Sequence, residues 1–450
     1  MRQKIAFISE HASPLVSLGS TDSGGQNVYV GELTRQLLKL GFDIDIFTRW
    51  EDAAVAPVVK VEPGLRVIHV KAGPVKRIPK EDIMGFMSEF GENMLELILT
   101  EDITYRLVHA NFWMSGMVAM QLKQVLGIPF VITFHALGHV RKIHQKDQDR
   151  FPQERVQIEE EIVRHADRVI AECPQDMEDL ENYYHADPDR IVLIPCGFNP
   201  REFFPLKKSL CKKHLGLEAD EEVILQLGRL VPRKGIDNVI TAFSQLVMPD
   251  RKLRLIIVGG EDAGPGSPEN AEMLRLKTMA RTLNVEDRVV FAGRKERNEL
   301  KYYYGAADLF ITTPWYEPFG ITPLEAMACG TPVIGADVGG IKYTVSDGRT
   351  GMLVPPNEPV MLKDRMQLLL ENESLREYMG LQAQQHVLER FTWQKVAMKV
   401  STLYQRIFEE NTIVKSSVEA EPQTVPKDMM TESLVLNIIP MVKHTRKYGS

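Results

Sequence analysis

Short apolar runs alternate with amphipathic stretches along most of the chain. IAFISE, FDIDIFTR, LRVIHVKA, RLVHANF and PFVITFH read as strands, and DRVIAE and DRIVLIPCGF follow a Glu-rich helical segment from Gln153 to Ala166. After the first strand, Val30, Leu33, Leu37 and Leu40 recur at helical spacing from about Asn27 to Leu40, and Gly41 supplies a stop. From Asn199 to Leu217 the periodicity breaks at Pro200, Pro205 and the lysine-rich KKSLCKK. It restarts with EVILQLGRL, LRLIIVGG, RVVFAGR, DLFITTP, TPVIGA and GMLVPP, separated by helical patterns. Two blocks of repeated βα units imply an α/β chain with two doubly wound, Rossmann-like domains, whose facing strand ends enclose a cleft. The expected division is 1–199, 200–390, a helix over 391–410 packing back on the first domain, and a flexible tail over 411–450.

Composition narrows the class. A chain of 450 residues exceeds one ordinary core, and its net charge of -7 is spread along the sequence, which argues against a nucleic-acid partner. Cys173, Cys196, Cys211 and Cys329 lie far apart without a C-x-x-C, so they read as buried thiols in a reducing compartment. No apolar segment approaches the length of a membrane span, and the first apolar run is too short for a signal-peptide core, so a cytoplasmic location is expected. Asp43-Ile44-Asp45 has the spacing of a D-x-D metal motif but alternates within a strand, which favours a structural reading.

The chemistry gathers around Trp315 to Gly340. The strand DLFITTP feeds a Pro/Gly-rich bend and then a helix, predicted with Thr322 as N-cap, Pro323 at the first position and Glu325 closing a capping box. A helix start beyond the end of a parallel strand offers free N–H groups and partial positive charge to a phosphate. Glu317 and Glu325 can face the same crevice. Arg229 and Lys234 in GRLVPRKG, and Arg294 after VVFAG, bring cations to neighbouring strand ends, where they can neutralise a diphosphate as a bond to it breaks. In the first half, the loop from Ser20 to Asn27 carries Gly25-Gln26 where a Walker motif counted from Gly19 to Gly24 would need Lys-Ser/Thr, which leaves a Gly24-Gly25 turn at a helix start. Lys71, Lys76, Arg77 and Lys80 crowd one loop, Arg141, Lys142 and Arg155 follow the His135 strand, and His135 itself ends a strand at the cleft.

Together EPFGITPLEAMACGTPVIGADVGG, GRLVPRKG and SGGQNVYV resemble the family 4 retaining glycosyltransferases of GT-B fold, over roughly residues 1 to 410. The likeness is to the members acting on sugar and inositol phosphates. It implies a UDP-sugar donor and no cofactor or metal. On the donor side it implies Arg229 and Lys234 on the leaving diphosphate, Glu317 on the sugar hydroxyls, Glu325 on the ribose and Arg294 flanking the nucleotide. Gly320, Ile321 and Thr322 would offer backbone amides beside Phe319, with Gly24 and Gly25 approaching from the other domain. His135 would stand at the reaction centre. Gln26, Asn27, Lys80, Asn111 and Arg155 would hold a small, phosphorylated acceptor, although Ala136 stands where the sugar-phosphate and inositol-phosphate relatives carry Ser or Thr. Two alternatives stay open: a lipid or polysaccharide acceptor with peripheral membrane contact, and a sugar-nucleotide epimerase or hydrolase. The sequence does not indicate an oligomeric state.

Overall fold

The computed structural model describes residues 2–15, 24–246, 248, 250–260 and 268–419. Ser20 to Ser23 of the glycine loop, and the tail beyond 419, lie outside these residues. The chain divides into a unit spanning Met1–Gln405 and a second from Arg406.

The first unit holds two sheets. The N-terminal sheet contains β1 (Gln3–Ile8), β2 (Phe42–Arg49), β3 (Val58–Glu62), β4 (Leu65–Val70), β5 (Leu107–Asn111), β6 (Phe130–Thr133), β7 (Arg168–Ala171) and β8 (Ile191–Leu193). Its order is β3-β4-β2-β1-β5-β6-β7-β8, parallel except for the β3–β4 pair. The C-terminal sheet contains β9 (Glu222–Leu227), β10 (Leu253–Val258), β11 (Val289–Gly293), β12 (Leu309–Thr312), β13 (Val333–Ala336) and β14 (Gly351–Val354). Its order is β11-β10-β9-β12-β13-β14, all parallel. Helices cover both sheets, so strands such as Ile5 to Ile8 and Val223 to Leu225 are buried throughout and carry no polar alternation.

Every strand expected from the apolar runs is present. The edge strand β3 was not anticipated, because VVKVE is half exposed and pairs antiparallel only with β4. The first helix runs Gly25–Lys39; Val30, Leu33 and Leu37 are fully buried, but Leu40 falls past its end and is 44 % exposed. The lysine-rich stretch at the predicted boundary is itself a short helix, Lys208–His214. The helix Trp393–Glu419 runs past the expected limit of 410, so 411–419 is helical and not tail.

Asp45 is buried and receives Arg66 through both oxygens at 2.8 and 2.7 Å, Tyr105 at 2.6 Å, and Lys4 at 3.0 Å. Burial alone would push its carboxyl up; Arg66 and Tyr105 outweigh that and hold it below the usual range. The D-x-D pair is therefore structural. All four cysteines are free and buried, and among the described residues no helix is long and apolar enough to cross a membrane.

Strand order reverses direction of growth between β1 and β5 in one sheet and between β9 and β12 in the other. Loops leaving those strands splay apart there and open a crevice at the carboxyl ends. The chain crosses between the sheets twice, and the crossings are paired: Phe198 N–H donates to Phe391 O at 2.8 Å and Trp393 N–H to Phe198 O at 3.1 Å. Gly197 allows this approach, since a Cβ there would lie 2.8 Å from the Trp393 nitrogen.

Candidate active site

The two crevices merge into one cavity of about 350 Å³. Its C-terminal wall is built on the loops after β9 and β12. After β9, Gly228 leads to Arg229 and to a 3-10 turn, Pro232–Lys234, closed by Gly235 at φ +64. A Cβ on Gly235 would lie 2.1 Å from Thr313 O, so only glycine lets this turn pack against the end of β12. The packing brings the Lys234 ammonium into direct contact with the Glu317 carboxylate, with Arg233 Nη1 at 3.8 Å from the same oxygen. On the far side, Gly339 at φ +43 brings its backbone under the Glu317 loop, and Gly340 N–H donates to Glu317 O at 3.2 Å.

This cluster is electrostatically uneven. Burial is the largest influence on Lys234 and, with Arg233 and Arg229 nearby, lowers its pKa to about 8 against the pull of Glu317. Burial would raise Glu317, but Lys234, Arg233 and Arg229 overcome it and hold the carboxyl below its ordinary value. Glu317 stays ionised amid three cations. The surplus of positive charge is what an incoming diphosphate would meet.

The helix start differs from the expectation in one respect. The helix is Ile321–Ala328 with Gly320 as N-cap at φ +89, so neither Thr322 nor Glu325 caps it. A β-branched N-cap cannot take that left-handed conformation cheaply, and the glycine turn wins over the Thr-Pro signal. The first N–H groups, from Ile321 onward, still open into the cavity. Glu325 turns inward instead, accepting from Arg297 Nη1 at 2.9 Å and Tyr304 Oη at 3.0 Å. Burial raises its pKa and Arg297 opposes the rise.

The N-terminal wall is built differently. Gly24 and Gly25 open the helix Gly25–Lys39; Asn27 Oδ1 accepts from Gly24 N–H at 2.9 Å and its amide donates to Ser13 O at 2.9 Å. A Cβ on Gly25 would sit 3.8 Å from Ile321 Cδ1, which shows how closely the two helix starts face each other. His135 follows β6 at φ +57, an uncommon conformation for a residue with a side chain. Its Nδ1 lies 3.2 Å from Glu172 Oε1 and its Nε2 3.2 Å from Asn111 Oδ1, with the Tyr29 ring edge-on at 4.7 Å. These three partners together hold the left-handed conformation in place.

Of the residues singled out in the sequence, the cavity is lined by Gly24, Gly25, Gln26, Asn27, Lys80, His135, Ala136, Arg141, Arg229, Lys234, Arg294, Glu317, Phe319, Gly320, Ile321, Thr322 and Glu325. Asn111 and Arg155 are buried behind it. Asn111 orients His135; Arg155 is packed among Phe112, Trp113 and Phe151, paired with Glu159 at 2.7 Å and bonded to Ala136 O. Lys71, Lys76 and Arg77 are exposed on the same loop as Lys80 and do not line the cavity.

The sequence reading missed several lining residues, among them His11, Arg233, Arg297 and Tyr316. Tyr316 joins the walls: its ring stacks on His144 at 4.8 Å, its hydroxyl accepts from Gln145, and Arg233 sits 5.2 Å above it. Its position immediately before Glu317 was the one available signal.

Residues 23–202 match the family described as Glycosyltransferase Family 4, and residues 208–386 that described as Glycosyl transferases group 1. The D-inositol 3-phosphate glycosyltransferase of Corynebacterium diphtheriae is 34% identical over 410 residues, covering 90% of this chain and 95% of the relative. Among solved structures, sucrose-phosphate synthase from Thermosynechococcus elongatus shares 35% identity and a TM-score of 0.84 over 91% of this chain and 100% of that one. Anabaena HepE, solved with UDP and glucose, shares the fold at 21% identity and TM-score 0.71 over 90% of this chain and all of its own. With the paired parallel sheets, the shared cleft and this likeness across nearly its whole length, the chain belongs to the family 4 retaining glycosyltransferases of GT-B fold, which draw on nucleotide-sugar donors.

Proposed function

We propose that the protein transfers a hexosyl group, with retention, from a UDP-sugar to a hydroxyl of a small phosphorylated sugar or polyol. The observation that carries this reading is the Lys234–Glu317 contact at the mouth of the Ile321–Ala328 helix, flanked by Arg229 and Arg233. In it Arg229, Lys234 and the amides at the helix start take the donor's diphosphate. Their electrostatic stabilisation grows as the glycosidic bond breaks and charge accumulates on the leaving group. Glu317 then accepts from hydroxyls of the sugar, Glu325 from the ribose, and Arg294 flanks the base.

Gly24 and Gly25 close over the diphosphate from the other wall, and His135 meets the sugar at the reaction centre. The acceptor lies against Gln26, Asn27 and Lys80, while Asn111 and Arg155 act from behind by holding His135 and Ala136. The acceptor's nucleophilic hydroxyl approaches on the face the diphosphate leaves, and that diphosphate receives its proton. The preference for a phosphorylated acceptor draws support from the named activities of the relatives and from Lys80 on the cavity wall. A mass-spectrometric screen of UDP-glucose and UDP-N-acetylglucosamine against inositol phosphates and hexose phosphates tests it. The expected result is a glycosylated phosphate ester with UDP released. Full donor turnover without any acceptor would overturn the transferase assignment.

A further inference from the structure

Arg297 opens the helix Arg297–Ala306 and reaches the cleft wall. Its Nε donates to Glu202 at 2.6 Å and its Nη1 to Glu325 at 2.9 Å, while Nη2 is buried with no hydrogen-bond partner among the described residues. The guanidinium also lies 4.8 Å from the Phe203 ring, so its plane is fixed. A third carboxylate, Glu32 on the first helix, feels the same cation and accepts from Asn199 Nδ2 at 3.3 Å.

One guanidinium thus binds two carboxylates and acts on a third through space, and each comes from a different place. Glu32 belongs to the N-terminal wall, Glu202 to the segment that crosses between the sheets, and Glu325 to the donor wall. The crossing is the paired stretch around Phe198 and Phe391, four residues before Glu202. Nothing in the donor chemistry requires an arginine to be spent on Glu202. An arginine that grips both the crossing and a ligand-facing carboxylate is suited to couple them.

We propose that Arg297 is a positioning residue: it aims the Glu325 carboxylate at the donor's ribose and ties it, through Glu202, to the crossing between the domains. The inference rests on the nucleotide-donor reading above and adds to it the group that keeps Glu325 in its accepting form. Burial favours a protonated Glu325, and Arg297 is the strongest influence against that. Without the guanidinium the carboxyl gains a proton at higher pH, and a protonated acid accepts poorly from two ribose hydroxyls. Loss of Arg297 therefore makes nucleotide affinity depend on pH in a way the parent's does not.

Calorimetric titration of UDP into the parent, R297Q, R297K and E202Q between pH 5.5 and 8.5 tests this. Dividing each variant's affinity by the parent's at the same pH cancels the ionisations of UDP itself. R297Q is expected to bind ~30-fold more weakly at pH 5.5 and to recover ~5-fold or more by pH 8.5, as Glu325 ionises. R297K keeps the charge and follows the parent's pH profile at ~3-fold to 10-fold weaker affinity; E202Q, with its Arg297–Glu325 bond intact, weakens ~2-fold to 5-fold with a flat ratio. A flat ratio for R297Q, with R297K no better, would mark a merely structural residue and overturn the inference alone. Should R297Q fail to fold, unchanged affinity in both R297K and E202Q overturns it. A parent that binds no UDP, ADP or GDP overturns the donor reading and this inference together.

Discussion

The two walls of the cleft are made of similar parts and wired in opposite ways. On the C-terminal wall the ligand-facing side chains are paired with each other: Lys234 with Glu317, and Arg297 with Glu325. On the N-terminal wall the polar side chains are largely spent on the backbone. Gln26 donates to Asn111 O at 3.2 Å, Asn27 to Ser13 O, and Asn111 Nδ2 to Ile8 O at 3.2 Å. A wall of opposed charges is preorganised for a ligand whose own charge changes during reaction. A wall of amides tied to the backbone offers shape and a few directed bonds, which suits recognition of a neutral polyol ring. On the proposed reading, the donor wall stabilises the leaving group, and the acceptor wall selects the acceptor and brings His135 to the sugar.

The sharpest test removes the central charge of the donor wall. Lys234→Ala is expected to lower kcat about 10²–10³-fold, the scale for deleting one preorganised group facing developing charge. UDP affinity should fall less than ~10-fold, since the interaction matters most as the diphosphate leaves. Stopped-flow turnover beside calorimetric UDP binding separates the two. Equal losses in both would make Lys234 a simple binding residue and erase the difference between the walls.

A second test uses pH. Lys234 is depressed to about 8, so its cationic form is lost as pH rises through that value, and log kcat/KM should bend downward there. Glu317 raises that pKa by attraction, so in Glu317→Gln the bend should move to lower pH, on top of a lower plateau. A bend that stays in place would show that Lys234 does not set the alkaline limb.

How much of this contrast could be read from the sequence follows from what each wall depends on. The donor wall rests on local signals: strand, glycine turn, cation or carboxylate, helix. Hence Lys234, Glu317 and Glu325 could be placed by counting along the chain. Even there, the partner of Glu325 was hidden, because Arg297 and Tyr304 reach it from a different βα unit. Thr322 lost its capping role to a glycine conformation that pattern alone does not report. On the acceptor wall the outcome depends on aromatic packing from distant segments. Phe112, Trp113 and Phe151 enclose Arg155, and no spacing rule foretells that a cation within the sequence's basic cluster will be buried. Tyr316 against His144 is a contact between domains and equally invisible to local periodicity.

A third, smaller effect belongs to the acceptor wall. Lys80→Ala should raise the acceptor KM ~10-fold and leave UDP affinity unchanged, as expected for one charge-assisted hydrogen bond to a phosphate. Initial rates over an acceptor series, run at saturating donor, check it. The loss should vanish with an unphosphorylated acceptor. An equal loss with both acceptors would move Lys80 out of phosphate recognition.

The smallest expected effect probes the seam between the walls. Asn111 holds His135 Nε2 at 3.2 Å and is itself fixed by bonds to Ile8 O and His109 O, both at 3.2 Å. Asn111→Asp keeps the size and the accepting oxygen but replaces two donors with a charge. With its two backbone bonds lost, the side chain no longer has a fixed orientation toward the imidazole, and kcat should fall ~3-fold to 10-fold. Acceptor KM should stay near the parent's, because Asn111 acts on the histidine and not on the acceptor. An Asn111→Asp variant that instead loses acceptor affinity would place this residue in the selecting wall, and the two walls would then meet at His135 and not behind it.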